Sequence, residues 1–238
     1  MESISVDKAI FTTRSMRRLR PDPVPIEDIE HIVEAATMAP SAGNYQMWAF
    51  VAVTDETIRK KIGAAYRESG NSYIRDTVLV DPSTNAEQVR VYSKAMYTVE
   101  HLAEAPVIIV ACSTIAIPND SAIAAGPFGS LFPSIQNLML AARGRGLGSV
   151  LLTLATDHAP FPPTENTSVR EILNLPEGVE INVSADNQVT VKGKLGELSE
   201  KVHQDIKVNI EEGVVTLSRP NDMKENRSMH GLYRSLIN

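Results

Sequence analysis

The stretch LPEGVEINVSADNQVTVKG, residues 175–193, is where the patterning of the chain changes. Ahead of it, apolar residues recur at helical spacing or in short unbroken runs, and from Glu180 onward they alternate. A repeat near 3.6 marks a helix with one buried face. An unbroken run marks a strand covered on both faces, and a repeat of two marks a half-exposed strand.

Working back from this seam, TSVREILNL predicts a short helix capped by Thr167 or Ser168. GSVLLTL predicts a buried strand, preceded by SLFPSIQNLMLAAR, residues 130–143, the most apolar helix in the chain. PVIIVACS, residues 106–113, and WAFVAV, residues 48–53, are further buried strands. ETIRKKIGAAYRESG and AEQVRVYSKAMYTVEHLA predict helices, with a loop over residues 71–85 between them. In IEDIEHIVEAATM, Ile26, Ile29, Ile32 and Val33 share one helical face, and Pro25, Glu27 and Asp28 suit a helix start. RPDPVP separates this helix from a short one over Val6 to Thr13. The order is one of helices around a few-stranded buried sheet, α+β or α/β.

Working forward, INVSADNQVTVKG predicts a hairpin turning at Asp186-Asn187, and DIKVNIEEGVVTLSRP a second turning at Glu212-Gly213. NDMKENRSMHGLYRSLIN predicts a terminal helix capped by Asn221 or Asp222. The two regimes meet at Pro176-Glu177-Gly178 with no flexible linker between them.

At 238 residues and 43% apolar, the chain can bury a sizeable core. A net charge of -6 supplies no global field for nucleic acid or an acidic membrane surface. Cys112 is the sole cysteine, which excludes an internal disulfide, suits a reducing cytoplasmic compartment and leaves no cysteine cluster for a metal. MESISVDKAIFTT has no signal-peptide core, and no apolar run is long enough to cross a bilayer.

Three places could carry chemistry. In TRSMRR, Arg14, Ser15 and Arg17 alternate guanidinium and hydroxyl groups, the donors a phosphate dianion needs; a solvated basic turn has the same pattern. In PSAGNYQMW, the small residues Ser41, Ala42 and Gly43 would let backbone approach a flat ligand, and Asn44 both donates and accepts; a plain connecting loop is the alternative. GRGLGSVLLT carries glycines after a helix and before a strand, the reverse of a dinucleotide loop. Gly144 or Gly146 therefore suits a left-handed helix end, while backbone near Leu152 to Leu154 could still face a ligand. His31 and His101 lack metal-ligand spacing, Cys112 sits in a buried strand, and Asp157-His158 has no serine elbow to serve. With no protein nucleophile or acid–base pair evident, the pattern suits an enzyme whose cofactor carries the chemistry.

Three stretches in order, TTRSMRRLRPDPVPIEDIEHIVEAATMAPSAGNYQMWAFV, VEHLAEAPVIIVAC and GSLFPSIQNLMLAARGRGLGSVLLT, resemble the FMN-dependent nitroreductase family, from about Val6 to Glu180. The resemblance implies an α+β fold with helices around a central sheet, a homodimer, and FMN at its interface. It implies that Arg14, Ser15 and Arg17 hold the phosphate, that Ser41, Ala42, Gly43 and Asn44 lie along the ring and ribityl chain, and that Leu151, Leu152, Thr153 and Leu154 bring backbone to the ring. Pro133, Gln136 and Asn137 match the central-helix motif, with Gln136 a further cofactor candidate. Met47 stands where the family has proline before the tryptophan. The implied activity passes electrons from NAD(P)H through the flavin to a nitroaromatic or quinone-like oxidant, in two visits to one cavity. No metal and no catalytic side chain are implied.

After LPEGVE the family would continue with a further strand, a glycine-proline turn and a basic residue returning to the phosphate; their absence here would weaken FMN binding. VTVKGKLGELS and SRPNDMKENRSMHGLYRSL instead resemble the N-terminal domain of bacterial large-subunit ribosomal protein L6, a small domain of β-hairpins plus a helix. The expected division is thus a nitroreductase-like domain over 1–176 and a ribosomal-protein-like β-rich segment over 177–238. LPEGVE fits both families, so the joint has the form of a chimera. A tail that binds ribosomal RNA beside an inactive, truncated front half is the alternative function. Against it, ten acidic residues outnumber the eight basic ones in 177–238.

Overall fold

The structure, a computed structural model, describes residues 4–114, 121–155, 161–164 and 167–175 and the strands at 180–185, 207–211 and 214–218; for those three strands and for residues 121–123 it describes backbone only. Its helices are α1 (Val6–Thr12), α2 (Ile26–Thr37), α3 (Glu56–Gly70), α4 (Ala86–His101), α5 (Ser121–Gly144) and α6 (Val169–Ile172). Its strands are β1 (Trp48–Val53), β2 (Ile108–Ser113), β3 (Leu151–Leu152), β4 (Glu180–Ala185), β5 (Lys207–Glu211) and β6 (Val214–Ser218). One six-stranded sheet runs in the order β3-β4-β2-β1-β6-β5.

The unbroken apolar runs form the middle of that sheet. β1 and β2 pair antiparallel from Trp48 opposite Ser113 to Val53 opposite Ile108, and all six positions of each strand are buried. Alternation along β1 sends Trp48, Phe50 and Ala52 to one face and Ala49, Val51 and Val53 to the other. The first set packs with Ile29, Ile32, Val33 and Ala36 of α2 and with Leu131, Ile135, Leu138 and Ala142 of α5. The second packs with Ile62, Ala65 and Tyr66 of α3, Val99 of α4 and Val169 of α6. Helices therefore cover both faces, and Cys112 is a fully buried member of the second core. Ile32 is wholly buried, so Ile32→Ala would cost about 2–5 kcal/mol in lost contacts and cavity.

Helix ends follow local chemistry. Asp55 caps α3 by accepting from the Ile58 amide at 3.0 Å. Asn85 and Gln88 form a reciprocal capping box at α4, as Ser168 and Glu171 do at α6. Gly146 has φ +76° just past α5. Arg59 donates to the carbonyls of Ala103 and Ala105 at 2.7 and 2.6 Å and ties α3 to the turn ahead of β2. Burial of its guanidinium lowers its pKa from the usual arginine value.

Three expectations need correction. Residues Asn71–Val78 are not loop but a wide, π-type turn continuing α3, in which Leu79 N donates to Ile74 O at 2.9 Å. Only Ile74 is fully buried there, too little apolar signal to show a helical period. α5 begins at Ser121 rather than near Ser130 and runs through Pro127 and Pro133, residues that read as breaks in isolation. The buried strand expected across GSVLLTL is only Leu151–Leu152, with Leu151 half-buried.

Glu180–Ala185 enters between β2 and β3, pairing Ile109 with Ala185 and Leu152 with Ser184. The further strand expected after LPEGVE is thus present, in the first alternating residues beyond the seam. β5 and β6 pair antiparallel with Glu211 opposite Val214, as the second hairpin requires, and β6 then pairs with β1 from Ala49 opposite Ser218 to Ala52 opposite Val215. Strands from both halves therefore share one sheet. The turns at Asp186-Asn187 and Glu212-Gly213 and the terminal helix lie outside the described residues.

Candidate functional site

After α1 the chain leaves as extended backbone, Thr13 at φ -66° and ψ 133°. Ser15 then lies opposite Ser149 in a lone parallel bridge, and Met16 N donates to Ser149 O at 2.9 Å. The partner segment arrives there because α5 ends in a reversal, with Leu147 N donating to Ala142 O at 2.9 Å and Gly146 left-handed. Gly148 lies flush against residues 16–19: a Cβ on it would meet Leu19 Cδ2 at 3.1 Å and Met16 Cβ at 3.2 Å.

Beside this bridge is an open cavity of about 290 Å³ bounded by Thr12, Thr13, Arg14, Arg143, Gly146 and the backbone to Ser149. Arg143 Nε donates to Thr12 Oγ1 at 3.1 Å, and Arg14 donates to the Thr13 carbonyl at 2.6 Å. Both threonine hydroxyls donate to carbonyls of α1, Thr12 to Lys8 O and Thr13 to Ala9 O at 2.7 Å, so the donors left to meet a phosphate dianion are the two guanidinium groups. Arg143, which borders this cavity with Arg14, was missed as a candidate. Arg143 and Thr12 are 131 positions apart, so no local pattern joins them.

The other candidates fall elsewhere. Arg17 is half-buried and lines a separate crevice with Leu19, Tyr97, Thr98 and His101. The three residues of the TRSMRR reading thus share a segment but not one cavity. Leu151 is half-buried, Leu152 and Leu154 are buried and Thr153 is exposed, directly downstream of the Ser149 bridge. Gln136 is exposed on α5, while Asn137 Nδ2 donates to Ala35 O at 3.3 Å and joins α5 to α2.

The small-residue turn is docked on α5. Ala42 N donates to Ser130 Oγ at 2.9 Å, and that hydroxyl donates to Gly126 O at 2.7 Å. Ser41 Oγ accepts from Gln46 N at 3.1 Å. Ala42, Gly43, Asn44 and Tyr45 are exposed. Gly43, Asn44 and Gln46 all have positive φ, at 57°, 57° and 51°. Within the turn the Gln46 side chain donates from Nε2 to Asn44 Oδ1 at 2.9 Å. Met47, in the family's proline position, is buried and its carbonyl accepts from Thr114 N at 3.0 Å. The turn takes no part in the lining of the cavity beside Arg14.

Among the described residues no group of three or more histidine, cysteine, aspartate or glutamate side chains could hold a metal, and no helix is long and apolar enough to cross a membrane. His31 is exposed, and Asp157-His158 lies outside the described residues.

Against known proteins, the profile of the nitroreductase family matches residues 10–184 and that of ribosomal protein L6 matches residues 175–238. The two matches overlap over residues 175–184, the seam and β4. Large ribosomal subunit protein uL6 of Parabacteroides distasonis is 53% identical over 66 residues, 28% of this chain and 36% of that protein. The uL6 of Cytophaga hutchinsonii is 52% identical over 65 residues, 27% of this chain and 35% of that protein. The chain thus spans about a third of the curated relatives it matches.

Among solved structures, an iodotyrosine deiodinase bound to FMN and 3-iodo-L-tyrosine is similar with a TM-score of 0.59 at 21% identity, over 80% of this chain and 92% of that one. A nitroreductase with bound FMN from Bacteroides fragilis NCTC 9343 is similar with a TM-score of 0.54 at 20% identity, over 88% and 100%. These likenesses establish the fold, and the C-terminal segment is similar to ribosomal protein L6. With its profile matched across most of the length, from residue 10 to residue 184, the chain belongs to the nitroreductase family.

Proposed function

We propose that the protein is an FMN-dependent oxidoreductase that takes electrons from NAD(P)H and delivers them to a nitroaromatic or quinone-like small molecule. The observation that carries this reading is the Ser15–Ser149 bridge, which sets the arginine segment beside the backbone leading into Leu151–Leu154. Family membership and FMN in similar structures support it. When bound, FMN supplies a reversible two-electron store.

The chain's own residues would hold and orient the cofactor. Arg14 and Arg143 would neutralise the phosphate. Ser15 and Arg17 approach from the same segment. Ser41, Ala42, Gly43 and Asn44 would offer small residues and backbone to the flat ring, with Leu151, Leu152, Thr153 and Leu154 as the other backbone wall and Gln136 on the central helix. A homodimer would bring the turn of one protomer to the arginine segment of the other. The exposed apolar side chains of Val6, Ile10 and Phe11 on α1, Tyr45 beside the turn and Phe132 on α5 favour such an interface. β4 supplies the further strand, but the glycine-proline turn and the returning basic residue are absent from the sequence, so FMN should be partly lost on purification and regained on addition.

The test is the absorption spectrum of the purified chain with and without added FMN, followed by NADH and NADPH oxidation with a nitroaromatic. Colourless protein that takes up no flavin defeats the reading. The similarity to uL6 favours a second one, in which residues 177–238 bind ribosomal RNA. A salt-sensitive gel shift with large-subunit RNA would support it.

A further inference from the structure

The arginine segment is also held by a run of four side chains, Arg18, Tyr97, His101 and Glu104. The Arg18 guanidinium carbon lies 4.1 Å from the centroid of the Tyr97 ring. Tyr97 stacks on His101, one helical turn on, with centroids 4.2 Å apart and planes 23° from parallel. His101 Nδ1 lies 2.7 Å from Glu104 Oε1 in the turn that follows α4. A cation over an aromatic face is drawn to the ring's negative quadrupole. The crevice between, bounded by Arg17, Leu19, Tyr97, Thr98 and His101, has a volume of about 10 Å³, no more than one water molecule needs.

Residues 15–18 are thus fixed at two points, by the Ser149 carbonyl at Met16 and by the Tyr97 ring at Arg18. Arg17 lies between those points and Arg14 just ahead of them, where its guanidinium donates to Thr13 O. We propose that Tyr97 is a positioning residue: by holding Arg18 it fixes the course of residues 15–18 and so presents the arginine segment to the cofactor phosphate. The phosphate role rests on the function proposed above; the holding role does not.

The test uses the full chain with Tyr97→Leu, Tyr97→Phe, Arg18→Ala and the Tyr97→Leu/Arg18→Ala double variant. Two quantities are read: hydrogen exchange at the Met16 amide, and FMN affinity by fluorescence quenching. Tyr97→Leu and Arg18→Ala should each speed Met16 exchange and weaken FMN binding roughly two- to fivefold, the range expected for an exposed cation–π contact. Tyr97→Phe, which keeps the ring, should restore both, and the double variant should be no worse than either single one. Unchanged Met16 protection in Tyr97→Leu, failure of Tyr97→Phe to rescue, or additive losses in the double variant would overturn the proposal. Arg18→Ala changes an exposed side chain and keeps the question open to measurement if Tyr97→Leu folds poorly. Wild-type protein that takes up no FMN would sink the functional reading alone, because Met16 exchange still decides whether Tyr97 holds the segment.

Discussion

Ser15 and Ser149 face each other across a single parallel bridge, joining residues 134 positions apart in sequence, and the neighbouring Met16 amide closes it on the Ser149 carbonyl at 2.9 Å. That bridge draws the end of α1, the reversal after α5 and the start of β3 to one place.

Arg14→Ala and Arg143→Ala should each weaken FMN binding by about tenfold, the loss of one charge-assisted hydrogen bond of about 1.5 kcal/mol. Riboflavin, which has no phosphate, should bind both variants as it binds the parent. Fluorescence titration with the two flavins makes the comparison. Equal losses for both would show that these arginines do not meet the phosphate.

Gly148→Ala should destabilise the chain by about 1–3 kcal/mol, because the new methyl crowds Met16 Cβ and Leu19 where the bridge forms. Gly129→Ala is the contrasting change. It is exposed within α5 with nothing within 4 Å of the added methyl, and should stabilise by about 0.5–1 kcal/mol. Urea unfolding of both variants distinguishes a crowded glycine from a merely flexible one.

Helix α6 should loosen in acid. Hydrogen bonds from the Ser168 hydroxyl and amide hold the Glu171 carboxyl below its usual value. A folded-state pKa below the unfolded one gives stability that is present above the ordinary glutamate range and is lost as pH falls through the lowered value. Exchange at the Ile172 and Leu173 amides, which close on Ser168 and Val169, should rise over that acidic window. Glu171→Gln should flatten the dependence.

Removing residues 207–238 should leave one side of β1 without its backbone partners, since β6 pairs there from Ala49 to Ala52. An unpaired edge of consecutive apolar residues is an aggregation template. The shortened chain should melt lower and gain mass by light scattering. A shortened chain as stable and monodisperse as the parent would mean that the C-terminal strands contribute nothing to the sheet.

Much of the framework was legible because its signals are local. Trp48–Val53 and Ile108–Ser113 are apolar at every position, which requires cover on both faces, and both faces are covered. Ile29, Ile32, Val33 and Ala36 repeat at helical spacing and all are buried. Ser168 accepts from the Glu171 amide as a cap should. What escaped had no local signature. Asn71–Val78 offers one fully buried residue, and the opening of α5 is disguised by Gly126, Pro127 and Gly129. The sequence put forward Arg14, which borders the cavity beside the Ser15–Ser149 bridge, and the small-residue turn, which does not. It hid Arg143, and it grouped Arg14 with Arg17 although their side chains line different hollows.

By itself the sequence determined α2, α3, α4 and the buried strands β1 and β2, because periodicity and capping act over a few neighbouring residues. It also determined the two family likenesses that meet at LPEGVE. Only the tertiary structure decided that Glu180–Ala185 lies between β2 and β3 and that Val214–Ser218 closes the other side of β1. The physical reason is that a strand's backbone amides and carbonyls are the same whatever its side chains. Which strand they pair with is settled by the packing of the whole chain and carries no label in the residues themselves.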